Sequence, residues 1–350
     1  GYWRRLGASA GLSVSVAMGT EAAAELARAT ANQVADEVWR QGSRLGELRV
    51  QLKRDGFFTL LPSELCADRG MLRSLRAGAS KLKARGWPAT MLLLYDEMWL
   101  LLAHVSRLMK AVTGCSPSFD TLAWHVDPAE GEGGFAPHRD RQPADVPGSF
   151  RPDGSPKYAT LWLALSPATP SNSCLHVIPR QHDPGYDAGD DHSPGASDPL
   201  HLALRTDGAI QSIRACPLPP GGCVVFTHRA MHWGSRAAAQ PGPSAGPRIS
   251  VSFGCSDPAF EPPYLADPAG LSPLPPMAAR AALAAAQLLN YHERFAFSTR
   301  MLRLLGHVFR RSGGYLAERY VAKTAAEYKD ACEDRARGGK ANRAPRSSAR

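Results

Sequence analysis

The sequence predicts a mainly β core flanked by helices, a sandwich or barrel within one domain, and three observations carry this. From Phe119 onward, short runs rich in β-branched and aromatic residues alternate with Gly, Pro and Asp loops. Before that point, and again after Pro276, the apolar residues recur at helical spacing. The 350 residues suit one large domain or two ordinary ones, and no internal repeat divides them.

Residues 1–19 carry Arg4, Arg5 and several serines, with no acidic residue before Glu21. That composition is the one of an organelle transit peptide, the alternative being a stretch ahead of a native start at Met18. Residues 20–117 read as a helical N-terminal part with a first strand, packed on the core. Within it, 20–45 is rich in Ala, Glu, Arg and Leu behind Thr20 as N-cap. DGFFTLLP (55–62) gives a turn and a short strand, and 65–83 and 89–112 are helical by period. Residues 118–260 form the β core, with strands at FDTLAWHV (119–126), YATLWLAL (158–165), CLHVI (174–178), AIQSIRA (209–215), CVVFT (223–227) and RISVSF (248–253). Residues 261–335 hold C-terminal helices at 277–290, 299–311 and 315–335, and 336–350 reads as a disordered basic tail.

Lys+Arg 41 against Asp+Glu 32 gives a net charge of +9. The excess sits at the ends: residues 286–350 hold 14 basic and 6 acidic residues, whereas 118–260 hold 10 and 14. No basic run is interleaved with aromatics and no recognition motif is present, so a nucleic-acid partner is not expected. The longest apolar stretch, 91–105, is broken by Tyr95, Asp96, Glu97 and His104, which excludes a transmembrane segment. Seven scattered cysteines without a C-x-x-C pair argue against a disulfide framework and a structural zinc site. An intracellular setting, cytoplasmic or organellar, is the expectation.

The strongest chemical signal is His138-Arg139-Asp140 in FAPHRDRQP. On a strand residues i and i+2 share a face, so an imidazole and a carboxylate converge. A third ligand is offered by His228 and His232 in HRAMHWGS, directly after CVVFT. Two histidines and a carboxylate on one side of an ion leave positions open, the arrangement that suits non-haem Fe(II). Further on, Arg248 and Ser250 share a face of RISVSF, and a guanidinium fork grips a carboxylate with two hydrogen bonds. A dicarboxylate chelating the iron at one end would rest its far end there.

The ordered set DGFFTLLP, HRD, LWLALSPATPSNSCLHVIPRQH, CVVFTHRAMHWGS and PRISVSF resembles the phytanoyl-CoA dioxygenase family over 55–253. The resemblance implies a double-stranded β-helix core of the jelly-roll or cupin-like kind. It also implies an Fe(II)- and 2-oxoglutarate-dependent dioxygenase that uses O2, releases succinate and CO2 and hydroxylates a C–H bond. The family's metal ligands correspond to His138, Asp140 and His232, which favours His232 over His228. Its cosubstrate arginine corresponds to Arg248, with Ser250 beside it, and its tryptophan near the cosubstrate to Trp162. Its N-G-C-L stretch stands here as Asn172-Ser173-Cys174-Leu175, so Ser173 replaces a glycine, and Arg180 replaces another. Trp233 intrudes between His232 and Gly234. Asp140 itself points to hydroxylation, since related halogenases carry a small residue there. The substrate implied is a small molecule or acyl-type compound.

Weaker signals have plainer readings. His228, His125 and His176 read as core or edge histidines rather than substrate contacts, and Trp124 and Phe135 as either core or cavity wall. The insert 183–199, with Asp187, Asp190, Asp191 and His192, reads as an acidic loop beside the site mouth rather than a second metal site. Arg300, Arg303, Arg310, Arg311 and Arg319 among apolar residues read as the solvated face of a packed helix, the alternative being contact with an anionic membrane surface. Two rival functions remain: an inactive β-helix serving as a binding scaffold, and a zinc-dependent hydrolase using the same three ligands.

Overall fold

The computed structural model describes residues 1–14, 42–141, 148–190, 203–204, 207–234, 246–267, 274–295 and 297–336. Two antiparallel sheets form the centre. The larger has the order β1-β6-β3-β8-β2 and the smaller β5-β4-β7. In the larger sheet these are β1 (Phe57–Leu60), β6 (Cys223–Thr227), β3 (Tyr158–Ala164), β8 (Arg248–Ser256) and β2 (Ser116–Val126). The smaller holds β5 (Arg214–Cys216), β4 (Leu175–Val177) and β7 (His232–Gly234). Helix nevertheless outweighs strand among the described residues, so the β core is the smaller share of an α and β architecture. None of the described helices is long and apolar enough to cross a membrane.

Strand alternation sorts the side chains of the larger sheet into two sets. Leu161, Leu163, Val225, Ile249, Val251 and Phe253 enter a cluster shared with the helices at both ends of the chain. Trp162, Ala164, Val224 and Phe226 enter a second cluster with Leu175, Val177 and Cys216 of the smaller sheet. β3 is therefore buried along its whole length. Both faces of the sheet need cover, and the helices supply it on one side. Met277–Asn290 alone buries Leu283, Leu288 and Leu289 completely, each stabilising by about 1.5–3 kcal/mol.

Helix boundaries depart from the period-based expectations for local reasons. The helix expected over 65–83 is split by Cys66, whose φ of 53° is left-handed, and restarts where Asp68 caps Arg69–Ala84. The helix expected over 89–112 is a 3-10 turn (Ala89–Leu94) followed by Asp96–Thr113, parted by Tyr95 in extended conformation. Asp96 and Glu97 then sit in the first turn, where carboxylates suit the helix dipole, and Gly114 ends it at a φ of 73°. AIQSIRA is not one strand: Asp207–Gln211 is helical, and β5 begins only at Arg214, where pairing with β4 takes over. β7 was not foreseen, being three residues long with no run of its own.

The helix expected over 20–45 lies mostly outside the described residues, which pick it up as Gly42–Asp55. The tail from 337 lies outside them entirely. Residues 1–14 pack on the body: Leu6 and Leu12 are buried, Tyr95 donates to the Trp3 carbonyl, and Asp96 N–H donates to Ser13 O. Helix Thr299–Ser312 buries Leu302, Leu305 and Phe309 and leaves Arg300, Arg303, Arg310 and Arg311 exposed, as a packed helix with a solvated basic face would.

Candidate metal and cosubstrate site

His138 does not lie in a full strand. It faces His232 in an isolated antiparallel bridge, each N–H donating to the other's carbonyl at 3.0 Å. A third bond, Arg141 N–H to His228 O at 3.0 Å, keeps 138–141 extended beside 228–232. The i, i+2 geometry therefore holds without a ladder, and His138 and Asp140 face one side while Arg139 faces the other. Arg139 is buried and grips Asp183 with both terminal nitrogens and Asp190 with Nε. Two acids of the 183–199 insert thus clamp the residue between two candidate ligands, which corrects the reading of that insert as a plain mouth loop. Asp187 pairs instead with Arg180 and Arg229, and residues 191–199 lie outside the described residues.

The ligand atoms of His138, Asp140 and His232 lie within 4.8 Å of one another. Asp140 Oδ1 stands 3.8 Å from His138 Nε2 and 3.7 Å from His232 Nε2, gaps that one ion bonded at about 2.1 Å to each donor would bridge. Each ring is set by its other nitrogen: His138 Nδ1 reaches Ala136 O at 2.7 Å and His232 Nδ1 reaches Ala230 O at 3.0 Å. An Nδ1–H bonded to a carbonyl leaves the Nε2 lone pair free to face the ion. Thr160 Oγ1 donates to Asp140 Oδ2 at 2.7 Å, leaving Oδ1 for the shared point.

Electrostatics favour the ligating protonation states of His138 and Asp140. Burial, then His232, pushes the His138 imidazole well down from its ordinary value. Burial works to raise the Asp140 carboxyl, but the two imidazoles, Thr160 and Arg141 outweigh it and hold it below the usual carboxylate range. Neutral imidazole beside carboxylate is the donor set a divalent transition metal takes.

Inner-face residues of β3 and β8 continue the site. Arg248 is buried; its Nε donates to Ser173 O at 3.0 Å and its Nη1 to Ser250 Oγ at 2.7 Å. Its guanidinium lies 5.5 Å from the centre of the Trp162 ring. Burial draws the Arg248 pKa down to about 10, and no carboxylate pairs with it among the described residues. Ser250 is spent on orienting Arg248, and the cleft wall takes Ser252, the next residue on that face. Ser173, standing where the family pattern has glycine, adopts a φ of 73° and turns its carbonyl onto Arg248.

These groups line a cleft of about 920 Å³ including its open mouth. Trp124, Phe135 and Trp233 form an apolar wall, which decides the sequence ambiguity for the first two. His125 and His176 are half-buried and outside the wall, His176 stacking on Trp233 with centroids 5.6 Å apart. His228 is fully buried in the core, with Nδ1 on Tyr158 O at 2.9 Å and no partner for Nε2 among the described residues. Sequence reasoning missed Thr160, Tyr158, Tyr291 and Arg294 in the cleft wall. Thr160 had a signal, since it stands two residues before Trp162 on one face. Tyr291 and Arg294 had none, because only packing brings the C-terminal segment to the cleft.

The phytanoyl-CoA dioxygenase (PhyH) family model matches residues 72–240, a span that includes His138, Asp140, Trp162 and His232 and stops short of Arg248. No curated protein matches the chain. Among solved structures the chain is similar to the epimerase SnoN in complex with Fe3+, alpha ketoglutarate and nogalamycin RO, at 22% identity and TM-score 0.45, over 62% of this chain and 85% of that one. It is also similar to AviO1 from Streptomyces viridochromogenes Tue57, at 18% and 0.45 over 62% and 97%. EctD from S. alaskensis with 2-oxoglutarate and 5-hydroxyectoine follows at 16% and 0.41 over 61% and 76%.

Proposed function

We propose that this chain, which belongs to the phytanoyl-CoA dioxygenase family through residues 72–240, is an Fe(II)- and 2-oxoglutarate-dependent dioxygenase that hydroxylates a C–H bond of a small-molecule or acyl-type substrate. The two antiparallel sheets are read as the halves of a double-stranded β-helix. His138, Asp140 and His232 would hold the metal. Bound there, ferrous iron supplies O2 activation coupled to oxidative decarboxylation of 2-oxoglutarate to succinate and CO2.

The chain's own residues supply placement. Carbonyls of Ala136 and Ala230 fix the two rings, and Thr160 fixes the carboxylate. Arg248 anchors the far carboxylate of 2-oxoglutarate, with Ser250 and Ser173 presetting the guanidinium and Trp162 covering its face. Trp124, Phe135 and Trp233 line the cleft beside the three ligands and would keep water from it. The observation that carries this reading is the pairing of a two-histidine, one-carboxylate cluster with a buried guanidinium that no carboxylate among the described residues pairs.

Succinate release from 2-oxoglutarate in the presence of Fe(II) and O2 tests it. Asp140→Ala and His232→Ala are each expected to abolish release, and unchanged turnover in either would sink the ligand assignment. An anaerobic Fe(II) titration separates the rivals: no binding supports the scaffold, whereas hydrolysis with zinc and no succinate supports the hydrolase.

A further inference from the structure

We propose that Arg294 binds an anionic group of the primary substrate, so that the cleft selects organic acids, carboxylates or phosphate monoesters, carried on an apolar body. The proposal rests on the oxygenase reading for what happens to that substrate, and on the geometry of the cleft for the binding itself. Arg294 closes the 3-10 turn His292–Arg294, which follows helix Met277–Asn290 and lies beyond the family match. Its backbone is held by a 2.9 Å bond from its N–H to Tyr291 O.

The other cations of the cleft are committed. Arg141 grips Glu261 with Nη2 at 2.8 and 2.9 Å and lies over the Tyr158 ring. Arg248 is fixed by Ser173 and Ser250 on the cosubstrate side. Arg294 forms no ion pair or side-chain hydrogen bond with any described residue, although it lines the cleft and is only partly exposed. Burial lowers its pKa, with Glu293 and Tyr291 opposing. A desolvated cation without a partner is costly, and a bound anion would remove that cost.

Its placement also fits recognition. The guanidinium lies 4.8 Å from the centre of the Phe135 ring, a cation–π contact that uses none of its N–H donors and so leaves them for a carboxylate or phosphate. Phe135 in turn meets the His138 ring at 5.8 Å, so a single aromatic ring separates the anion position from a metal ligand. Trp124 packs edge-on to Phe135 at 4.5 Å and is stacked on Phe295 at 4.8 Å, giving a rigid apolar wall for the rest of the molecule. A substrate held by its charged end at Arg294 would lay its body along that wall toward the metal.

The test uses tryptophan fluorescence of the full chain, since Trp124, Trp162 and Trp233 line the cleft. With 2-oxoglutarate in saturating excess and oxygen excluded, phenylbutyrate, phenylpropyl phosphate and the neutral phenylbutanol are titrated in turn. At least one acid is expected to bind about tenfold more tightly than the alcohol or better, and the stronger of the two identifies the anion type. Arg294→Gln is expected to erase the preference and Arg294→Lys to restore part of it. Equal binding of acids and alcohol, no saturable binding of either acid, or an unchanged preference in Arg294→Gln would overturn the proposal. The same titrations of Arg248→Gln without metal or 2-oxoglutarate separate it from the oxygenase reading. Preference retained there and lost in the Arg248→Gln/Arg294→Gln pair supports Arg294 alone, whereas preference lost with Arg248→Gln assigns the anion to Arg248 and overturns it. Absent succinate release beside an intact acid preference would remove the oxygenase reading and leave the anion site standing.

Discussion

Arg248 is buried against a carbonyl and a hydroxyl, with no described carboxylate to neutralise it. If it anchors 2-oxoglutarate, Arg248→Gln forfeits a charge-assisted contact of about 1.5–3 kcal/mol, roughly 10- to 150-fold in apparent affinity. The apparent KM for 2-oxoglutarate reads this directly, and an unaltered value would remove Arg248 from that role. His228 makes a separate prediction. Burial brings its pKa down to about 4, and its Nε2 has no partner among the described residues to accept a proton from it. An unfolded chain protonates the same ring near 6.5. The contribution is therefore complete above about pH 6.5 and is lost as pH falls toward 4, at up to about 1.4 kcal/mol per unit. Between pH 7 and 5 that amounts to roughly 2 kcal/mol in denaturant unfolding. His228→Phe should lack this part of the pH dependence, and identical slopes in both proteins would contradict it. At this scale the sequence was informative where chemistry demands rare residue types, as at His138, Asp140 and Arg248. It was mute at Arg139, whose acid partners lie 44 and 51 residues away.

Strand alternation is what turns the residue list into a site. Thr160 and Trp162 of β3, and Arg248 and Ser250 of β8, reach the inner face because the period is two, and the register Trp162↔Ser252 and Ala164↔Ser250 puts both sets on the same face of the sheet. The His138–His232 bridge depends on a close backbone crossing at the rim. A methyl group on Gly134 would come within 2.5 Å of Gly234 Cα and of Ser173 Oγ. Gly134→Ala must therefore shift β7 or the Ser173 turn, which carry His232 and the Arg248 contact respectively. A destabilisation of about 1–3 kcal/mol is expected, together with weakened Fe(II) binding in an anaerobic titration. Wild-type metal affinity in that variant would show that the crossing does not position β7. Long strands with alternating or unbroken apolar runs were legible, whereas β7 and the break within 209–215 were not. Elements of three residues are set by the partner strand rather than by their own sequence.

Across the whole molecule, residues far apart in sequence close one core around the sheet. Helix Met277–Asn290 is tied to the N-terminal half through buried Arg280, which pairs with Asp96 and donates to Leu94 O and Pro275 O. Gln287 Nε2 donates to Asp120 and to the Thr121 carbonyl, so the same helix braces β2. Asp96→Ala leaves the Arg280 charge buried with carbonyls alone, and a loss of about 3 kcal/mol is expected in urea unfolding. Stability within error of wild type would show that those carbonyls suffice. Because Tyr291 and Arg294 follow directly from this helix, a variant that loosens it should also weaken acid binding at the cleft.

The sequence by itself determined the helix–strand–helix order, the His-x-Asp pair and the Arg-x-Ser pair, because period and residue chemistry are local properties. It also determined that the charge excess lies outside the core. The residue pattern offered both His228 and His232, with the resemblance favouring His232; tertiary structure gives the physical reason, a reciprocal backbone bridge that sets His232 beside His138 and a carbonyl that holds His228 in the core. Tertiary structure alone decided that two acids of a distant insert clamp Arg139, and that an arginine of the C-terminal segment stands over Phe135 in the cleft. Those placements follow from packing the helices on one face of the larger sheet and the smaller sheet on the other, contacts between residues that no local pattern relates.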